Sequence, residues 1–471
     1  MRTSITSLLL ATVATVAAVT GSGPVPLPAA FQKTAEPTRS GHRYPDFGYL
    51  PAPQQYEGRV FKLSQDYPTA LPAGGDVPEI ATRDFDAITK DWRTYLLDVR
   101  AYCFRGNIRG HDVEDDWQVE HNTENHWYHM PWQHYGPTGR EGIHGLTKEA
   151  PVQPQQLAES QTYTGGQTYA VGFYNTFGGY TIGEVWKDHE HPAKDLKKIE
   201  FPVGTVVCKV LFVDIPPDQV PSLNPALIWH GYITENFTST DRSIRRLSLI
   251  QMDIMVRVRD ARAPTGWVFG TFQYNGKRPG ARPQPSWDNL VPVGLQWGND
   301  PEITTDTSNP TPKETIINKQ LKQSVINPDA NELPPTHLGW NGRLNGPVDN
   351  PRSSCMSCHL TAESPQRSQI SPLFEKNPPK AGSPEWMRWF QNPKCGTAFD
   401  QHVTPTDFSL QMAIALQNFR SWRNAGSKIL ASRYKSQAVP ARIKDLPARN
   451  VGGLHDPEES EVEIRRDYKA P

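Results

Sequence analysis

The segment GTVVCKVLFVDI, residues 204–215, has the alternating pattern of a half-buried β-strand. Within it, Cys208 falls on the same strand face as Val206, Val210 and Phe212. Three apolar neighbours on one face indicate that this face belongs to a core. Cys208 is therefore predicted to be a small core residue and not a reactive thiol.

Five further segments between Thr162 and Gly298 are similar to this one. They are rich in Val, Ile, Tyr, Phe and Trp, and Gly, Pro, Asn or Asp separates them. The segments are residues 167–186, 226–234, 245–260, 266–276 and 290–298. Short strands with turn residues between them predict a mainly antiparallel β-sandwich-like domain.

The region before these strands has a different periodicity. In RDFDAITKDWRTYLLDVRAYCFRGN, residues 83–107, apolar side chains recur at helical spacing and predict one amphipathic helix. These apolar residues are Ile88, Trp92, Tyr95, Leu96, Val99 and Tyr102. Residues 44–298 are therefore predicted to be a mixed α/β region that ends in the β-sandwich-like domain.

A second informative segment is NPRSSCMSCHLTA, residues 350–362, in which His359 directly follows the pair Cys355 and Cys358. With 5 Cys and 14 His in 471 residues, a random match to C-x-x-C-H is expected on the order of 10⁻³ times. A zinc site needs two more ligands at close spacing, and Cys395, His402 and His455 are scattered. A redox-active pair does not require the His. The motif predicts one covalent haem c, bound by both thiols, with His359 as the proximal iron ligand.

The N-terminus agrees with this prediction. Residues 1–23 have an early Arg2, an apolar run and then small residues, which is the pattern of a secretory signal peptide. Haem c is attached outside the cytoplasm, so a periplasmic or secreted location is expected. No other segment is long and apolar enough to predict a membrane span. The remaining Cys103, Cys208 and Cys395 allow at most one disulfide.

The second half of the chain is predicted to have three parts. Residues 299–337 are a polar linker, made partly helical by the capping box Thr311, Pro312 and Glu314. Residues 338–426 are a small all-α cytochrome c domain, with helix starts at Ser383 and Thr404. The last of its helices has the apolar stripe Phe408, Met412, Ala415, Phe419 and Trp422, which predicts core packing. Residues 427–471 are a basic helix and a mobile acidic tail.

Residues 338–426 resemble a monohaem cytochrome c domain. The preceding region, with NHWYHMPW at 125–132, GREGIHGLT at 139–147, GWVFGTFQYNG at 266–276 and LVPVGLQWGND at 290–300, resembles the larger part of exported bacterial cytochrome c family proteins. The resemblance implies a covalent haem in the C-terminal part and assigns no activity to the rest. The fold class expected overall is α+β and multidomain.

The sixth iron ligand departs from the pattern of small cytochromes, since the loop NPKCGTAFDQHVTPT at 392–406 has no Met. His402 is the first alternative by position and Met387 the second, and an open or distant ligand is the third. A separate His-rich segment contains His126, His129 and His134. These imidazoles are a possible second metal site for zinc, copper or iron, although Pro131 excludes a helical zinc motif. Packing in an aromatic loop is the alternative.

Three functions are compatible with these features. The first is electron transfer by an exported monohaem cytochrome. The second is a haem peroxidase or oxygenase with its substrate pocket between the β domain and the haem, and the third is a haem-linked ligand-binding sensor. The basic segment 420–450 is compatible with an acidic redox partner protein, and a solvated C-terminal helix without a partner is the alternative. Charge is balanced over the chain, at 49 basic and 50 acidic residues, so nucleic acid is not expected as a partner.

Overall fold

The computed structural model describes residues 50–60, 64–108, 113–114, 116–133, 140–163, 166–194, 196, 198–234, 241–305, 315, 317–334, 338–421 and 423. The predicted signal peptide at 1–23, His134, and the predicted basic helix and acidic tail at 427–471 lie outside these residues. Within the described ranges, no helix has the length and apolar character that crossing a membrane requires.

Nine strands form one antiparallel sheet. They are β1 Trp127–Tyr128, β2 Thr147–Pro151, β3 Gln167–Asn175, β4 Val206–Val213, β5 Ile228–Thr234, β6 Arg242–Arg257, β7 Trp267–Tyr274, β8 Leu290–Gln296 and β9 Ser324–Ile326. The order is β1-β3-β4-β6-β7-β8-β9, with β2 paired to β3 and β5 paired to β6. The predicted antiparallel β architecture is confirmed. These nine strands form one connected sheet, however, and not the two sheets of a sandwich.

The central strands β4, β6 and β7 give the sheet two faces of different composition. Cys208 is paired with Ile254, which places both on the face that we call the helix face. Lys209 is paired with Asp253, and Asp253 with Thr271, so these three lie on the opposite face. We call this second face the motif face, because the C-x-x-C-H segment packs on it.

The described residues include, besides a helix over 410–421, the α-helices α1 Glu79–Thr82, α2 Phe85–Lys90, α3 Trp92–Phe104, α4 Thr176–Val185 and α5 Cys355–His359. The sequence predicts one amphipathic helix here, whereas the structure has two, because Asp91 between α2 and α3 has a non-helical backbone conformation. Helix α3 buries Tyr95, Leu96, Val99 and Cys103 in the same core as the helix face. Gly270 of β7 permits this close packing, since a Cβ there would lie 2.2 Å from Cδ2 of Leu96.

The sequence predicts strand throughout the segment 167–186, and this prediction is wrong for the second half. The strand ends at Asn175, whose side chain accepts a hydrogen bond from the main-chain N of Gly178 and thereby caps α4. This helix buries the side chains of Phe177, Ile182 and Val185. Their aromatic and β-branched side chains satisfy a strand pattern as well as a buried helix, and the cap at Asn175 decides between the two.

The C-terminal segment 338–421 contains α5, the strands β10 Glu363–Ser364 and β11 Thr404–Pro405, and a helix over 410–421. The helix predicted from Ser383 is the short 3-10 helix Trp386–Phe390. The helix predicted from Thr404 begins at 410, because Asp407 and Phe408 adopt positive φ values of 51° and 64°. Ser409 then caps it by accepting from the main-chain N of Met412.

The segment 338–421 shares its core with the sheet. Met356 of α5 and Leu360, which follows it, pack in one cluster with Phe408, Met412, Ala415 and Phe419, and with residues of the motif face such as Met255 and Phe269. The apolar stripe predicted for the last helix is therefore part of this core. Trp422, the last residue of the stripe, lies outside the described residues. Residues 317–327 of the predicted linker contain turns and β9, so the predicted helix does not extend through them. Thr311, Pro312 and Glu314 are outside the described residues.

Candidate haem site

The C-x-x-C-H motif forms the helix α5, and the residue before it fixes where the helix begins. Ser354 accepts a hydrogen bond from the main-chain N of Ser357 at 3.0 Å, and the hydroxyl of Ser357 accepts from the main-chain N of Ser354 at 2.6 Å. This reciprocal capping box starts the helix at Cys355. Cys355 and Cys358 are consequently held one turn apart, with His359 at the helix end.

His359 is oriented by a main-chain carbonyl. Its Nδ1 lies 2.7 Å from the oxygen of Phe408, and because a carbonyl only accepts, Nδ1 carries the proton. The lone pair is then on Nε2, which is the arrangement that metal-bound histidines use. Burial lowers the pKa of His359 to about 4, against the effect of the hydrogen bond to Phe408, and the charge of Lys209 lowers it further. The ring is neutral at pH 7 and competent as a ligand.

None of the motif thiols, Cys103, Cys208 and Cys395 is in a disulfide bond. Burial raises the pKa of both motif thiols, that of Cys358 to about 12. Sγ of Cys355 lies 3.7 Å from Oγ1 of Thr271, so the helix α5 contacts the motif face directly.

A cavity of about 300 Å³ separates the motif face from the C-terminal segment. Its size lies in the range of ligand sites in proteins. Cys355, Cys358 and His359 line it together, and Phe269, Met255, Ile370, Phe374, Leu410 and Ile414 supply apolar surface. Two thiols, one neutral imidazole and an apolar surround fit a covalently attached haem. Cys355 and Cys358 would form the thioethers, and Nε2 of His359 would coordinate the iron.

One wall of the cavity is polar, and sequence reasoning missed it. Lys209, Asp253, Thr271 and Asp349 all line the cavity. Thr271 donates to Oδ1 of Asp253 at 2.9 Å. The available signal was the interruption of apolar strands by Lys in VVCKVLFV and by Asp in LIQMDIMV. Lys209 and Asp253 are 44 positions apart in the sequence, and only the pairing of β4 with β6 brings them together. Neither interruption therefore predicts that the other lies beside it.

The structure does not bring either predicted distal ligand to the cavity. His402 is exposed, with φ of 60° in a turn, and is not among the residues that line the cavity. Met387 is buried among Trp340, Trp386 and Phe390, in a cluster of its own. The thioether that does line the cavity is Met255, from β6 on the motif face.

The possible second metal site is not assembled by the residues that are described. His126 is exposed, whereas His129 is buried and its Nδ1 accepts from the main-chain N of Ser64 at 2.9 Å. Burial holds the pKa of His129 well below its usual range. Within the described residues, no group of three or more His, Cys, Asp or Glu is placed to hold a metal ion. His134 lies outside them.

The other cysteines are structural. Cys208 is fully buried on the helix face, as predicted, and Cys103 of α3 is buried in the same core. Burial, and then the neighbouring Cys103 thiol, raise the pKa of Cys208 well above its ordinary value. Cys395 accepts a hydrogen bond from Nη2 of Arg257 at 2.7 Å.

Comparisons of the chain with protein-family models, with curated proteins and with solved structures found no match. The resemblance to cytochrome c family proteins therefore stays a prediction, based on the motif and its surroundings.

Proposed function

We propose that this chain is an exported monohaem c-type cytochrome that transfers electrons through one covalently bound haem. Cys355 and Cys358 form the two thioether bonds, and His359 is the proximal ligand. The observation that carries the proposal is the hydrogen bond between Nδ1 of His359 and the oxygen of Phe408, in a cavity that both thiols also line. When bound, a haem supplies a site that gains and loses one electron.

The large N-terminal region has a physical role in this proposal. The sheet forms one wall of the cavity, and Phe269 of that wall packs against His359 with ring centroids 5.1 Å apart. Such a wall excludes water from the proximal ligand and fixes its orientation. Burial and hydrogen bonding at the axial ligand are two of the means by which proteins set a haem potential. The sheet would thus be part of the redox site itself and not an appended domain.

A haem oxidoreductase is the second candidate function. The observation that favours it is the polar wall of Lys209, Asp253, Thr271 and Asp349, inside the cavity that the motif lines. A cytochrome that only carries electrons does not need charged groups there, whereas a substrate pocket uses a few polar groups within an apolar surround. The proposed redox partner of the electron-transfer function is an acidic protein, and its proposed location is periplasmic or secreted.

The test is ligand binding by the exported protein after expression with a cytochrome c maturation system. An electron carrier with both axial positions filled is reduced reversibly, and its Soret band is unchanged by CO or cyanide. Rapid binding of CO by the reduced form, or of cyanide or peroxide by the oxidised form, would instead support the oxidoreductase. Failure of the chain to retain haem after denaturation would contradict both candidates.

A further inference from the structure

Three side chains from adjacent strands form a polar row across the motif face. Lys209 on β4 is paired with Asp253 on β6, and Asp253 with Thr271 on β7. All three line the cavity that contains the haem motif. The row reaches the motif itself through Thr271, whose hydroxyl is 2.9 Å from Asp253 and 3.7 Å from Sγ of Cys355. Asp253 is thus two contacts from a predicted haem attachment point.

A second carboxyl group joins Asp253 through a shared donor. Nε2 of Gln251 donates to Oδ1 and Oδ2 of Asp253 at 3.0 Å and 2.8 Å. The same nitrogen lies 3.0 Å from Oδ2 of Asp349. Two carboxyl groups on one amide nitrogen are close enough that ionising one opposes ionising the other.

The titratable groups that line the cavity around Asp253 come mainly from β4, β2 and the motif. They include Lys209, Glu149, Cys355, Cys358 and His359. Burial, and then the neighbouring Asp349, raise the pKa of Asp253 to about 7, against the effects of Lys209, Gln251 and Thr271. Burial lowers the pKa of Lys209, but Glu149, Asp253 and Asp349 outweigh it, so this pKa is raised and Lys209 stays charged. Asp253 is the group in this row that exchanges a proton near neutral pH.

We propose that Asp253 is a proton-binding site coupled to the haem, so that the protein takes up a proton with each electron. The inference rests on the proposed haem site. Asp253 accepts one proton from solvent as the site gains one electron from a one-electron donor protein. It releases that proton when the electron leaves to a one-electron acceptor. The physical reason is electrostatic: an added electron in the same cavity disfavours the ionised carboxylate.

The test is the midpoint potential of the wild-type holoprotein, measured between pH 5 and pH 9. If one proton is taken up with each electron, the midpoint potential falls as the pH rises. The limiting slope is about 59 mV per pH unit around neutral pH, since a tenfold change in an equilibrium constant corresponds to about 59 mV for a one-electron couple. Asp253→Asn should remove most of this slope, and Asp349→Asn should move the sloping range to lower pH, because Asp349 raises the pKa of Asp253. Asp253→Asn should keep the potential near the low-pH value, because the amide is neutral like the protonated carboxyl.

Asp260→Asn is the matched control, because Asp260 is hydrogen-bonded to Arg262 and does not line the cavity. The slope of potential against pH in this variant should equal that of the wild type. A second measurement needs no variant: reduction of the wild type in weakly buffered solution at pH 7 should consume protons, read from a pH indicator dye. A flat potential profile with no proton uptake would overturn the inference, and so would a slope that Asp253→Asn retains. Absence of haem would instead contradict the proposed function.

Discussion

Nδ1 of His359 lies 2.7 Å from the main-chain oxygen of Phe408. Phe408 and the preceding Asp407 have positive φ, so the chain turns sharply there and presents this carbonyl to the ring. The Asp407 carboxylate accepts from the main-chain N of Phe201 at 2.7 Å and from Nε1 of Trp267 at 3.2 Å, which anchors the turn to the sheet. The orientation of the proposed iron ligand is thereby set by contacts to residues far away in sequence.

The first prediction concerns the distal side of the haem. Because His402 is exposed and does not line the cavity, His402→Asn should leave the optical and spin-state spectra of the holoprotein unchanged. Asn is chosen because it tolerates the positive φ of this position. His359→Gly is the matched comparison and should change the spin state, with recovery on adding imidazole. Conversion of His402→Asn to a high-spin spectrum would show that His402 reaches the iron.

The second prediction concerns acid stability. His144 stacks on Trp229 at 4.3 Å, and burial lowers its pKa to about 3, against the hydrogen bond to the oxygen of His230. The unfolded chain therefore binds a proton that the folded chain rejects. The contribution of neutral His144 to the free energy of unfolding is complete above a pH of about 6.5. It falls by up to roughly 1.4 kcal/mol per pH unit as the pH drops towards the pKa of His144 in the folded protein.

His144→Phe keeps the stacked ring and removes the titration. It should cost about 1 kcal/mol at pH 7 through the lost hydrogen bond and show a shallower loss of stability between pH 6 and pH 4. Urea unfolding at several pH values measures both. His121→Gln, at an exposed position, is the control and should follow the wild type. Identical slopes for His144→Phe and wild type would refute the assignment.

The third prediction concerns the backbone that supports the motif. A Cβ at Gly339 would lie 2.1 Å from the main-chain oxygen of Ser353, next to the capping box of α5. Gly339→Ala should therefore cost about 3 kcal/mol or more, since the main chain must move. Gly75→Ala has no neighbour within 4 Å and should change stability by less than about 0.5 kcal/mol. Equal unfolding midpoints in urea for the two variants would contradict this account.

The local parts of the fold were accessible from sequence, and the tertiary parts were not. Alternation around Cys208 predicted β4 and its buried face, and helical spacing from Ile88 to Tyr102 predicted α2 and α3. The start of α4 depended on one cap at Asn175, which a run of β-branched and aromatic residues obscured. The polar row of Lys209 and Asp253 arises from strand register, which no local pattern contains.

Strand pairing also explains why His402 does not line the cavity. The sequence predicts His402 as a distal ligand because of its place in the loop before the last helix. In this chain Thr404–Pro405 pairs with Glu363–Ser364 as a short ladder, and the helix begins only at 410. His402 consequently lies in an exposed turn before that ladder. The motif itself, Cys355 to His359, was predicted as a unit because its chemistry is encoded in five consecutive residues.

The central claim is that Cys355 and Cys358 bind one haem covalently. The most direct measurement is the intact mass of the exported protein, denatured and extracted with acidified organic solvent, after expression with a cytochrome c maturation system. The expected mass is that of the mature chain plus one haem, and the double variant Cys355→Ala, Cys358→Ala should have the mass of the mature chain alone. An unmodified wild-type mass under these conditions would contradict the account.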